Sequence, residues 1–144
     1  MSVYYPPLGF HFKVEFIGIS KDEYQFQSVS GLTVSLDTED VAEGGENRFK
    51  HKLPVRTSYS NLVLKRGLLV DSKLVKWCRD AIENFNIVPV DIVVKLLNEE
   101  HEPLVTWNVV NAWPVKWEVS GFDAEESKLV IETIELVYNY FKIH

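Results

Sequence analysis

A single cysteine, Cys78, stands in 144 residues. One cysteine cannot close a disulfide within the chain, so the fold does not depend on oxidation. Positive charge is in the minority, 15 Lys and Arg against 21 Asp and Glu, for a formal net charge of -6. That balance argues against nucleic acid or an anionic membrane surface as the main partner. No apolar run reaches the length of a membrane span, so no direct membrane insertion is expected. The opening residues 1–8 have neither a basic nor an apolar stretch of the kind a secretion signal needs, and synthesis and assembly in the cytoplasm is the expectation. The motifs of common chemistry are missing as well: no GxGxxG, no P-loop lysine, no CxxC and no HExxH.

The residues left over do not make up a site. Gly44-Gly45 is the nearest thing to a phosphate cradle, but Asp37, Glu39, Asp40, Glu43 and Glu46 surround it and would repel an anion. Glu99, Glu100 and Glu102 lack the ligand spacing and the glycine of a calcium loop, and they read as a solvated turn. His11, His51, His101 and His144 fall on different elements, whereas zinc would need at least three ligands to converge; surface histidines are the simpler reading. Cys78 lies on the apolar side of a helical pattern and reads as a small buried hydrophobe. The chain is therefore expected not to be an enzyme, with no catalytic, cofactor-binding or metal residues and no cofactor.

What is present is period two. Phe10, Phe12, Val14 and Phe16 alternate with His11, Lys13 and Glu15, which makes a half-buried strand. Further strands are expected from Tyr24, at residues 32–37, 49–55, 61–64, 90–97, 104–110 and 113–119, and as one long run at 128–141. Gly31 marks a bend, Pro54 an edge or bulge, and residues 38–47 a long loop or projecting hairpin tip. One segment has a helical period: Leu74, Val75, Trp77, Cys78, Ala81, Ile82 and Phe85 share a stripe, with Asp71 or Ser72 as N-cap. Trp77, Ile82 and Phe85 are expected to anchor it. No linker or repeat divides residues 1–144, so one domain is expected. It is mainly β, a small antiparallel barrel or sandwich with one flanking helix at about 72–85. Trp77, Trp107, Trp113 and Trp117 could line a carbohydrate-binding platform; Trp107, alternating with Val105 and Val109, reads as core instead.

Charge is segregated along the chain. From Asp22 to Asn47 the charged residues are Asp22, Glu23, Asp37, Glu39, Asp40, Glu43 and Glu46, all acidic. From Arg48 to Arg66 they are Arg48, Lys50, Lys52, Arg56, Lys65 and Arg66, all basic. Two readings fit: a hairpin whose acidic arm pairs with its own basic arm, or a surface that presents opposite charges to other copies of itself. The residues alone do not decide between them.

Six stretches carry a resemblance, in order along the chain: YPPLGFHF at 5–12, FQSVSGL at 26–32, NLVLKRG at 61–67, LNEEHEP at 97–103, WNVVNAWP at 107–114 and ETIEL at 132–136. Together they resemble the phage tail tube protein family, in the branch found in extracellular contractile injection systems of the antifeeding prophage and Photorhabdus virulence cassette type. The resemblance implies an inner-tube subunit that forms hexameric rings, related to the tube protein of type VI secretion. The rings stack around a central channel, with sheath and baseplate or spike proteins as partners, in a particle that is released from the cell. It also implies that the segment Thr38–Leu53 contacts neighbouring subunits; with the change of charge sign, this makes the region from Asp37 to Lys52 the expected contact and Asp37, Glu39, Asp40, Glu43, Glu46, Arg48, Lys50 and Lys52 candidate interface residues. The string EGGENRFKHKLP at 43–54 resembles the baseplate-proximal, first-ring type of tube protein.

Overall fold

A computed structural model of the chain describes residues 11–20, 22–41, 51–67, 73–121 and 130–144. In chain order the elements are β1 (His11–Phe16), β2 (Glu23–Phe26), β3 (Ser28–Ser30), β4 (Val34–Val41), β5 (His51–Tyr59), β6 (Leu62–Gly67), α1 (Lys73–Glu83), β7 (Val90–Leu97), β8 (Pro103–Ser120), β9 (Ile131–Val137) and β10 (Tyr140–Ile143). The alternation read in β1 becomes burial: Val14 and Phe16 are fully enclosed, and their in-between neighbours are not.

The main sheet is antiparallel in every pairing and runs β2-β1-β7-β8-β9-β6-β3, with β10 also on β8. Its two end strands, β2 and β3, are separated in sequence by Gln27 alone, whose N–H donates to the Lys65 carbonyl at 2.9 Å. The sheet therefore rolls until its ends come together at one connecting residue. No ladder joins β2 to β3, so among the described residues the expected barrel or sandwich is a rolled sheet and not a closed barrel.

β8 corrects one expectation. The two strands read at 104–110 and 113–119 are one bent strand of 18 residues. Its first half pairs with β7 and its second half with β9. Asn111 takes a left-handed φ of 55° at the bend, and its N–H is held by the Asp91 carboxylate at 3.1 Å. Pro114 lacks a donor, yet it sits at a register shift between Pro114 and Lys116, where a bulge tolerates it. The expected run at 128–141 is instead two strands, β9 and β10. Between them the Asn139 N–H keeps hold of the Val110 carbonyl at 2.9 Å.

Helix α1 packs against β8 through Leu74, Val75, Trp77, Cys78 and Ala81, all buried. Trp77 meets the Phe16 ring edge-on at 5.8 Å and donates its indole N–H to the Val88 carbonyl at 2.8 Å. The other two expected anchors fail. Ile82 sits at the stripe's flank in the last turn and is half exposed, and Phe85 is 84% exposed. The helix ends at Glu83, Phe85 adopts φ 55°, and the Asn86 N–H folds back to the Asp80 carbonyl. Helical spacing no longer sets direction beyond that point. The expected N-cap, Asp71 or Ser72, lies outside the described residues. A left-handed conformation disfavours a residue with a Cβ, so Phe85→Gly is expected to stabilise the isolated chain by about 1 kcal/mol in urea denaturation.

Candidate assembly interface

β4 and β5 form a two-stranded sheet separate from the main one. The β3–β6 ladder turns outward at Gly31 and Asn61, and the chain continues as this ribbon. Gly31 has a φ of 88°, and a Cβ there would collide with the Asn61 carbonyl. The Tyr138 hydroxyl reaches the carbonyls of both sides of the turn, Ser60 at 2.7 Å and Gly31 at 3.2 Å. Tyr138 in turn stacks with Tyr59 and Phe141. The base of the ribbon is therefore pinned to the core while its arms project from it.

All of β4 is exposed, and so is all of β5 except Tyr59. Leu36 is 59% exposed, Leu53 50% and Val55 53%. A two-stranded ribbon is marginal in water on its own, and large apolar side chains exposed along one mark a surface that another molecule covers. Val34 and Leu36 lie on one face with Thr57 and Tyr59 across the ladder. Pro54 lies at the bulge between Asp37 and Thr38, as its missing donor requires.

The structure describes half of the candidate interface residues. Asp37, Glu39, Asp40 and Lys52 are on the ribbon arms, all exposed; Glu43, Glu46, Arg48 and Lys50 lie outside the described residues. Strand extends to Val41, so residues 38–41 belong to an arm and not to a loop. Asp40 faces Lys52, and Asp37 faces Arg56 at 4.0 Å. Acidic and basic arms thus do meet inside the hairpin. Both members of the Asp37–Arg56 pair are half exposed or more, and such a pair contributes roughly 0–1 kcal/mol. Sequence reasoning left out Arg56 and the exposed Leu36, Leu53 and Val55. Their alternation was visible, but the same pattern serves a strand buried in its own core.

The other candidate chemistry resolves as follows. Cys78 is fully buried, and burial pushes its thiol up to about 12; the Glu132 carboxylate adds to the rise and Arg66 opposes it. Tyr138 is also pushed up to about 12, by burial and then by Tyr59. An unfolded thiol ionises near pH 9 and a phenol near pH 10, so over that window the unfolded state binds fewer protons than the folded one. Stability is expected to be fully present below about pH 9 and to fall towards pH 12, seen as a lower urea midpoint near pH 11 than near pH 8. The tryptophans do not form a platform. Trp77 is buried, while Trp107, Trp113 and Trp117 are partly buried and pack on the core. The Trp117 indole N–H goes to Glu132 at 2.7 Å. The glutamates at 99–102 are on an exposed turn, where Asn98 Oδ1 accepts from the N–H groups of Glu100 and Glu102. No described helix is long and apolar enough to cross a membrane.

Comparison with known proteins agrees with this geometry. The sequence profile described as T4-like virus tail tube protein gp19 matches residues 8–142. A chain in the six-fold symmetrised cryo-electron microscopy structure of the anti-feeding prophage baseplate is 29% identical, over 100% of this chain and 97% of that one, with a TM-score of 0.81. A chain in the extended sheath–tube complex of PVC, an extracellular contractile injection system, is also 29% identical, over 99% of this chain and 93% of that one, with a TM-score of 0.79. Hcp1 from Flavobacterium johnsoniae is 16% identical over 92% of this chain and 94% of its own, with a TM-score of 0.62, a likeness of fold alone. No curated protein matches.

Proposed function

The chain belongs to the T4-like virus tail tube protein family, and from that premise we propose that it is an inner-tube subunit of a contractile, phage-tail-like injection system, assembled into six-membered rings stacked around a central channel. The observation that carries the proposal is the ribbon β4–β5, which projects with apolar side chains exposed on a two-stranded sheet and needs a second surface to cover it. Neighbouring subunits of the ring and of the stack supply that surface. Sheet edges support the same reading. Among the described residues no strand pairs the outer side of β10, or the side of the second half of β8 that faces away from β9. Open edges invite pairing, and closure into a ring removes them. The count of six rests on the family resemblance, and the six-fold symmetry applied to the anti-feeding prophage baseplate is consistent with it.

The remaining partners are the sheath and the baseplate or spike proteins of the same particle. The resemblance of the string at 43–54 to the first-ring type of tube protein is what supports a position in the first ring above the baseplate. Quantitative mass spectrometry of purified particles is then expected to find six copies of this chain per particle; a count in large excess of six would make it the bulk tube subunit.

The charge pattern is tested by a swap. Asp37→Lys combined with Arg56→Glu keeps an opposite pair inside the hairpin and inverts what a neighbour meets. Exposed positions leave monomer stability within about 0.5 kcal/mol, but the swap is expected to block tube formation. If the swapped chain assembles normally at low and high salt, the charges serve the hairpin alone.

A further inference from the structure

Two of the four scattered histidines are brought together by the fold. His11 opens β1, and His101 lies in the turn between β7 and β8, 90 residues later. His11 Nε2 and His101 Nδ1 are 3.0 Å apart, with ring centroids at 4.9 Å and ring planes at 70°. The ladder explains why. His11 pairs with Leu97, the last residue of β7, so its side chain stands beside the turn that follows. In that turn His101 takes a φ of 63°, and its N–H donates to the Asn98 carbonyl. His101 is exposed and His11 half-buried.

We propose that His11 and His101 form a two-imidazole binding site for the copper(II) ion. Metal–imidazole bonds of about 2.0–2.1 Å put two nitrogens on one ion roughly 2.9 to 3.4 Å apart, depending on the angle. The observed 3.0 Å falls in that span, and a bound ion takes the place of the hydrogen bond between the two rings. Neutral imidazole is the ligand form. Glu99, Glu100 and Glu102 make the turn negative, a field that favours a cation. Lys13 and Lys95, opposite each other two positions further along the ladder, oppose that field. No group of three protein ligands exists among the described residues, so water completes the coordination and the affinity is that of a chelate and not of a structural zinc site. When bound, the ion ties the start of β1 to the β7–β8 turn.

The test uses the untagged full chain, stripped with chelator and titrated with Cu²⁺. The thiol of Cys78 is buried and does not compete. The expected result is one saturable site per chain whose electron paramagnetic resonance spectrum shows two imidazole nitrogens. His11→Gln and His101→Gln are each expected to weaken it by about tenfold or more, while His51→Gln and His144→Gln leave it within about twofold. Both ligand positions reach solvent, and circular dichroism confirms that the variants are folded. Binding that survives His11→Gln and His101→Gln, or no saturable binding below about 100 μM Cu²⁺, overturns the proposal.

Discussion

Gly31→Ala is expected to destabilise the chain by roughly 3–5 kcal/mol, the sum of a left-handed backbone cost and a forced displacement of packed backbone. Gly31 holds φ at 88° at the point where the β3–β6 ladder turns into the ribbon. A new Cβ meets the Asn61 carbonyl, a backbone group that cannot swing aside as a flexible side chain would. Moving Asn61 also moves Ser60 and Gly31 against Tyr138, whose hydroxyl spans both carbonyls. Gly18 is the control. Its φ is 93°, but a Cβ there meets nothing within 4 Å. Gly18→Ala therefore carries the backbone cost alone, about 1 kcal/mol. Urea denaturation of the two variants separates the effects, and equal costs would show that the close approach at Asn61 is not a constraint.

The second large effect is at Glu132. Arg66 and Glu132 face each other across the β6–β9 ladder and are almost wholly enclosed, with Nε and Oε2 at 2.9 Å. The second carboxylate oxygen accepts the Trp117 indole N–H, and the guanidinium lies over the rings of Tyr24 and Phe26, 5.2 Å from each centroid. Three strands and the sheet's far end thus converge on one ion pair. Glu132→Leu leaves a guanidinium in the core without this carboxylate, an expected loss of about 3–5 kcal/mol. Replacing both partners, Arg66→Met with Glu132→Leu, removes the charge together with its counterion. It is expected to recover most of that loss, less about 1 kcal/mol for the unpaired indole. A double-mutant cycle by urea denaturation measures the coupling. Additive losses would mean that the two groups act independently despite their contact.

Local pattern made much of this fold readable and left its long-range meetings hidden. Period two placed β1 and β7 because one face of each is buried by this chain itself. The same alternation at Val34 and Leu36 says that one face is apolar, and not whose core covers it. Residues 38–47 read as a long loop or a projecting hairpin tip; residues 38–41 are strand, and the exposed apolar side chains of the arms are what that reading omits. The stripe through Phe85 misled because a helix's end is set by its capping geometry, and spacing carries no information past that end. At β8, the break read between 110 and 113 is absent, because a bulge lets one strand pass through Pro114. Arg66 with Glu132, and His11 with His101, are 66 and 90 residues apart, and only the register of the folded sheet brings them together. Of the candidate interface, the change of charge sign was legible; the pairing of arms was one of two readings that the residues leave open, and it takes the ladder register to show it.

Assembly is the claim that most needs a direct measurement. Cryo-electron microscopy of particles containing this chain with its own sheath and baseplate proteins provides it. Stacked rings of six copies around an open channel are predicted, with β4–β5 of each copy covered by its neighbours and Leu36, Leu53 and Val55 buried. Rings of another order, a chain that stays monomeric beside the assembled tube, or a ribbon still bare to solvent within the ring would contradict it.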